Sequence, residues 1–355
     1  MHRFVIIGYG AMGIWHASHL SGSGIALVAG IYDTDPQKRA LARKHGFQVF
    51  DSMDELLDCD AEMAVVTAPN DCHMLLSCLL SASGKHVLVE KPAALNEKDL
   101  ALMYEAADKA GRLLAVHQNR RYDRDFLMIR EVLRQNELGE PFRLESRIHG
   151  SRGIPEGWRK EKARGGGMLY DWGVHLIDQA LLAFQDSVPQ SVFCSMYHVL
   201  EKETDDGFFL IINFSDGKSA HIEVGTCNFI PMPRFYLCCR SGTAIINDWR
   251  DPCRVTKCIA FREEDVMPDS GGKRVRKIMA PRDELTTRSY LVRPQTADRF
   301  ALLRNFCAAA EGKEDLLITR EQTMAVMRVI DAAFRSAETG RQVIINTLSG
   351  AEAGS

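Results

Sequence analysis

The 355-residue chain lacks the features that would place it in a membrane or on nucleic acid. No apolar run approaches the roughly eighteen residues that a bilayer span requires. Residues 1–10 carry no basic stretch followed by an apolar one, so no secretory signal is read there. Neither sign of charge is in excess. Lys and Arg number 44 against 47 Asp and Glu, a formal charge of −3, which gives no long-range pull on a polyanion. The ten cysteines include no Cys-x-x-Cys spacing, so neither a zinc knuckle nor a thioredoxin-type pair is suggested. Buried reduced thiols and a cytoplasmic location are expected instead. Internal repeats and low-complexity tracts are absent too.

What remains is a soluble-type composition, 46% hydrophobic and 26% charged, on a chain long enough for two domains. The first 122 residues alternate apolar strands with helical segments. Strands are read at Arg3–Ile7, Ile25–Tyr32, Ala64–Ala68, His86–Val89 and Leu113–His117, and helices at Ala11–Leu20, Pro36–His45, Asp71–Ala82 and Asn96–Ala110. Asp71 and Asn96 are helix-capping residue types. Such alternation predicts a parallel, doubly wound α/β sheet.

Beyond a helix at Arg124–Gln135 the pattern changes. Pro141–His149, Ser191–Leu200, Phe208–Phe214, Ser219–Thr226 and Phe235–Cys239 read as strands joined by tight turns such as Ser215-Asp216-Gly217, which implies antiparallel pairing. A long helix, Met168–Phe184, interrupts them, and Thr296–Ala310 and Arg320–Glu338 are helical. The charge- and proline-rich stretch 262–295 reads as a loop or lid. Residues 123–355 are therefore expected to form a mixed α+β domain with antiparallel pairing, whose C-terminal helices are free to fold back on the first domain.

The strand Arg3–Ile7 runs directly into Gly8-Tyr9-Gly10-Ala11-Met12-Gly13. Gly8 permits a tight turn, Gly10 lets backbone approach a pyrophosphate, and Gly13 lets helix and strand pack closely. The following helix start offers free N–H groups to phosphate. Asp33, twenty residues after Gly13, ends the second strand, where a carboxylate accepts from ribose hydroxyls and repels a 2′-phosphate. NAD is expected as cofactor over NADP, with Arg39 the residue that would rescue NADP.

Two further segments carry chemistry. Lys91, in Glu90-Lys91-Pro92, follows a buried strand and would stand at the carboxyl end of the sheet, where α/β sheets bind ligands. An ammonium there offsets developing alkoxide charge. The run Gly165-Gly-Gly-Met-Leu-Tyr-Asp171-Trp-Gly-Val-His175-Leu-Ile-Asp178 spaces Asp171, His175 and Asp178 at i, i+4 and i+7, on one helix face. Its glycines are read as allowing close approach of a flat ring. Histidine suits proton transfer near neutral pH, and a carboxylate one turn away would orient it. A core histidine, or a zinc site still short of ligands, fits the same spacing, but no metal is expected.

The order of these segments, with Thr67-Ala68-Pro69-Asn70 and Asn119-Arg120-Arg121, resembles the glucose–fructose oxidoreductase/inositol dehydrogenase family over nearly the whole chain. The resemblance implies a Lys–Asp–His catalytic set matched by Lys91, Asp171 and His175. It also implies that Thr67, Ala68, Pro69, Asn70, His73 and Asn119 lie along the dinucleotide, with Glu90 and Lys91 near its nicotinamide. Trp158 and Arg159 would reach it from the second domain. Arg120 and Tyr122 join the catalytic set as substrate contacts, and the resemblance implies an open, mainly antiparallel sheet in the C-terminal domain, which would mediate a homodimer or homotetramer. The implied activity is oxidation of a secondary hydroxyl of a sugar, glycoside or cyclitol. Redox-neutral cleavage or group transfer through transient oxidation needs the same residues, and a dinucleotide-binding sensor is a third reading.

Overall fold

The computed structural model describes residues 1–260, 269–270, 276–277, 282, 284–293 and 297–345. A first sheet has the order β2-β1-β3-β4-β5, every pair parallel. Its strands are β1 (His2–Ile7), β2 (Ala26–Tyr32), β3 (Met63–Val66), β4 (His86–Val89) and β5 (Leu114–Val116). β3 and β4 are buried at every position, as strands covered on both faces must be. Successive residues serve different layers. Val5, Ile7, Ala64 and Val66 join one core cluster, whereas Phe4, Ile6, Met63 and Val65 join another.

The connecting helices are α1 (Ala11–Ser21), α2 (Pro36–Lys44), α3 (Met53–Asp58), α4 (His73–Ala82) and α5 (Glu97–Ala110). Asn96 caps α5 by accepting from the Asp99 N–H. Asp71 does not cap α4 as the sequence suggested. Residues Asn70–Cys72 form a separate tight turn, and no side chain caps either segment.

After α6 (Arg124–Gln135) comes a nine-stranded sheet of order β15-β12-β11-β10-β6-β9-β8-β7-β16. Its strands are β6 (Pro141–His149), β7 (Pro189–Tyr197), β8 (Gly207–Phe214), β9 (Ser219–Gly225), β10 (Phe235–Cys239), β11 (Gly242–Ile246), β12 (Cys253–Cys258), β15 (Thr287–Val292) and β16 (Val343–Ile344). A separate ribbon joins β13 (Asp269–Ser270) to β14 (Arg276–Lys277). All neighbours in the large sheet are antiparallel except β6 and β9.

The expected loop 262–295 is corrected in part. Thr287–Val292 pairs along β12 as an edge strand, its one charged residue, Arg288, standing exposed where an edge strand leaves side chains to solvent. The remainder of that expectation, apart from residues 269–270, 276–277, 282 and 284–286, lies largely outside the described residues.

Helices α7 (Val174–Ala183) and α9 (Arg320–Thr339) lie on one face of this sheet, and α9 also packs against α5. Arg328 pairs with Glu97 at 2.6 Å, and the Tyr104 hydroxyl lies 2.7 Å from Thr323 Oγ1. Helix α8 (Ala301–Ala310) begins five residues later than the sequence reading and covers the first sheet, with Phe306 against Phe4. The two sheets are thus joined by shared core. Among the described residues no helix is long and apolar enough to cross a membrane.

Candidate active site

The carboxyl ends of β1 to β5 open into a cleft of ≈ 730 Å³, walled on its far side by residues 158–175. Gly8, with φ +95°, turns the chain out of β1. A Cβ on Gly13 would lie 2.1 Å from the Gly8 carbonyl oxygen, so helix and loop are in backbone contact there. At Gly10 a Cβ would meet nothing within 4 Å, so this face is open to the cleft. Gly10 is also the N-cap of α1 and no side chain satisfies the helix start, which leaves N–H groups for a phosphate. These features fit a dinucleotide pyrophosphate.

Gly8, Gly10, Ala11 and Met12 line the cleft. Tyr9 and Gly13 do not. The Tyr9 ring is buried against Phe47, with its hydroxyl 2.9 Å from His45 Nδ1. Its backbone N–H instead donates to Asp33 Oδ2 at 2.6 Å. The other Asp33 oxygen accepts from the Asp35 N–H at 2.8 Å. Each carboxylate oxygen keeps a further lone pair for a ribose hydroxyl. Arg39 turns away and donates to the Asp33 and Thr34 carbonyls. Lys38, which the sequence reading passed over, lines the cleft with its Nζ 3.9 Å from Asp33 Oδ2.

Thr67, Ala68, Pro69 and Asn70 follow β3 into the cleft, as do His73, Glu90, Lys91 and Asn119. Thr67 donates its hydroxyl to the Gly8 carbonyl at 2.8 Å, tying two strand ends together. His73 is buried, its ring nitrogens each 2.8 Å from the Pro92 and Ala68 carbonyl oxygens, and so bolts the two loops that carry Lys91 and Asn70. Trp158 and Arg159 enter from the far wall with Arg164, and Arg120 lines the same cleft. Tyr122 does not reach it and lines a neighbouring cavity.

Lys91 Nζ donates to the Asp171 carbonyl at 2.7 Å and to Asp171 Oδ1 at 2.9 Å. Burial works to raise the Asp171 carboxyl, but Lys91 and then Arg159, at 3.6 Å, outweigh it and hold it below its ordinary value. His175 is 4% exposed and its Nδ1 has no hydrogen-bond partner. Burial first, then the Lys91 and Arg120 charges, push it well below 6.5, so it is a free base at neutral pH.

Two sequence readings are corrected here. Asp171 does not bind His175; its partner is Lys91. Nor does Asp178 line the cleft with Asp171 and His175. Asp178 accepts both Nε and Nη2 of Arg121, at 2.8 and 2.6 Å, in a buried pair behind the cleft. The expected single helix starts instead with a wider π-type turn over Leu169–Gly173, where the Val174 N–H reaches the Leu169 carbonyl. The extra residue per turn changes the facing of Asp171 relative to α7.

The glycines before this turn also differ from expectation. They admit the chain's own atoms, not a ligand ring. A Cβ on Gly167, at φ +104°, would lie 2.1 Å from Asp205 Oδ1. Asp205 accepts the Met168 N–H on its carbonyl and the Leu169 N–H on its carboxylate, thereby fixing the helix start that presents Asp171. The Gly165 carbonyl accepts from Asn70 Nδ2 at 2.9 Å. Sequence reading missed Asp205, Lys38 and Arg164. Trp172, inside the motif, was also passed over; it stacks over Arg120 at 4.2 Å and meets the His175 ring edge-on.

Residues 2–118 match the NAD-binding Rossmann-fold model of an oxidoreductase family, and 126–245 match the GFO/IDH/MocA C-terminal domain. The chain belongs to the GFO/IDH/MocA oxidoreductase family. A solved structure of an NAD-binding protein from Listeria innocua is 36% identical, with TM-score 0.86 over 97% of this chain and 96% of that one. An uncharacterized oxidoreductase of Schizosaccharomyces pombe is 34% identical over 51% of this chain, which spans about half of that relative's length, 50%. A scyllo-inositol 2-dehydrogenase (NADP(+)) of Bacillus subtilis is 27% identical over 84% of this chain and 83% of its own. The family and fold therefore agree with the Rossmann-plus-open-sheet reading, and the N-terminal unit is an NAD-binding one.

Proposed function

We propose that this protein oxidises a secondary hydroxyl of a sugar, glycoside or cyclitol, with residues 1–122 holding NAD and residues 123–355 supplying most of the substrate wall. The observation that carries this reading is a cationic Lys91 locked to Asp171 beside an uncharged, unpartnered His175, all in the cleft that fits a dinucleotide. Gly8, Gly10, Ala11 and Met12 would cradle the pyrophosphate, Asp33 the adenosine ribose, and Thr67 to Asn70 with Asn119, Trp158 and Arg159 the remaining length. When bound, nicotinamide supplies the hydride acceptor.

The protein's own groups then do the rest. His175, which lines the cleft, takes the hydroxyl proton on its imidazole. Lys91 donates toward the substrate oxygen as charge develops there. Asp171 holds the Lys91 ammonium in place, a role different from orienting His175. Arg120, backed by Trp172, borders the space left for substrate. The name of the Bacillus relative supports a cyclitol or similar polyol as the substrate class.

Asp33 supports NAD over NADP, while Lys38 beside it is the cation through which a 2′-phosphate would be accommodated. The outer face of the nine-stranded sheet, where Leu291 is half exposed, is the proposed dimer or tetramer surface. A panel of sugars, glycosides and inositols assayed separately with NAD and NADP tests the function. Stoichiometric NADH with one polyol class, at a higher kcat/KM with NAD, is expected. Product formed without net reduced cofactor would replace the dehydrogenase by redox-neutral cleavage, and a higher kcat/KM with NADP would overturn the role given to Asp33.

A further inference from the structure

Among the described residues one group of metal-ligating side chains converges without taking part in the proposed reaction. His16 on α1, Glu90 at the end of β4 and His117 after β5 are 1%, 5% and 4% exposed. Their ligand atoms all lie within 4.8 Å of one another. Glu90 Oε1 is 2.7 Å from His16 Nε2 and 2.9 Å from His117 Nδ1. The first contact is a hydrogen bond; the second is not, and His117 Nδ1 has no hydrogen-bond partner despite its burial. A buried imidazole nitrogen with no hydrogen-bond partner is an unmet polar group.

Imidazole nitrogen and carboxylate oxygen are ligand types that a zinc-like metal takes.

We propose that His16, Glu90 and His117 form a binding site for a divalent transition metal of the zinc type, on the far side of Glu90 from the hydride chemistry. The three ligands sit on a helix and two strand ends of the first sheet, which fixes their spacing. Zinc bonds of about 2.0–2.1 Å in a tetrahedron set ligand atoms roughly 3.3 Å apart, so the two contacts to Glu90 need to open by about half an ångström. A cavity of ≈ 420 Å³ reaches His16 and His117 past Trp15 and Asn119, giving an entry path and room for a fourth, water ligand. These residues are 74 and 27 positions apart along the chain, which explains why no local spacing signals the site. The inference stands independently of the substrate reading.

Cobalt(II) titration of the metal-stripped full chain tests it. The expected result is one Co²⁺ per chain, with the visible absorption of a four-coordinate nitrogen/oxygen site and no thiolate charge-transfer band. His16→Ala and His117→Ala should each weaken binding more than about tenfold, while His19→Ala, one turn along α1, should leave it unchanged. X-ray absorption of the zinc-loaded wild-type protein, which needs no variant to fold, should show two imidazoles, light-atom ligands and no sulfur. Absence of cobalt bands from the wild type, a thiolate band, sulfur in the zinc shell, or equal binding by folded variants would each overturn the proposal and leave a hydrogen-bonded triad.

Discussion

Gly8–Gly13 and Gly165–Gly167 both precede a helix that borders the cleft, yet their space is used in opposite ways. A side chain at Gly10 would point into open cleft, whereas one at Gly167 would collide with Asp205. The first cluster leaves room for a ligand. The second brings the chain's own backbone close enough for Asp205 to grip the Met168 and Leu169 N–H groups. Gly8 and Gly13 admit the chain's own backbone much as Gly167 admits Asp205, and Gly10 alone of these four leaves space that no atom of the chain fills. Binding and positioning are therefore divided between the two helix starts.

The largest effect expected along this division is on chemistry alone. Lys91→Ala should lower turnover by about a thousandfold, the upper scale for losing one charge-stabilising donor, while the dissociation constant for NAD stays within a few-fold. Isothermal titration beside steady-state kinetics measures both. An unchanged turnover would remove Lys91 from the mechanism.

The glycine comparison can be broken next. Gly10→Val should weaken NAD binding by an order of magnitude or more, because the added atoms fill the space kept for pyrophosphate, and should leave thermal stability nearly unchanged. Gly167→Ala should do the reverse. A non-glycine residue at φ +104° costs on the order of 1–3 kcal/mol, and the Asp205 collision adds to it, so Tm and kcat fall with NAD affinity largely kept. Equal losses of NAD affinity in both variants would erase the distinction.

The smallest effect concerns Asp205 itself. Burial foremost pushes its carboxyl up to about 7 from 3.8. The folded state then holds this proton more tightly than the unfolded state, so stability attributable to the group is lost as pH rises from about 4 through about 7. Asp205→Asn has no such proton to lose. Denaturant midpoints should show wild type declining relative to the variant across that window, and parallel curves would show that the group does not titrate there.

Much of the site was legible because its motifs are local. Gly8–Gly13 and the residues after β3 and β4 need only a strand that ends and a chain that turns, and sequence displays both. Asp33 follows the same logic. What escaped was set by tertiary partners. The period-four spacing of Asp171 and His175 suggested a bond between them, but Lys91, eighty residues earlier, claims the carboxylate and a π-type turn alters its facing. Lys38 and Arg39 are adjacent, and only the orientation of α2 decides which reaches the cleft. β11, β12 and β15 went unread because β11 is a five-residue strand with no polar alternation, while Arg254, Lys257 and Arg288 make the outer two look like loop, tolerable near one edge of a sheet with an uncovered face.

The central claim is that an uncharged His175, next to a lysine fixed by Asp171, is the base for alcohol oxidation. The pH dependence of kcat/KM for oxidation, in wild type and in His175→Ala, tests it most directly. A base must be deprotonated to act, and burial with the Lys91 and Arg120 charges holds His175 well below 6.5. The wild-type rate should therefore stay level through neutral pH and fall only on the acid side of 6.5, along one ionisation. His175→Ala should lower the rate by about a hundredfold or more and lose that acidic limb. A variant that kept both the wild-type rate and the same limb would contradict the account and transfer the proton to another group.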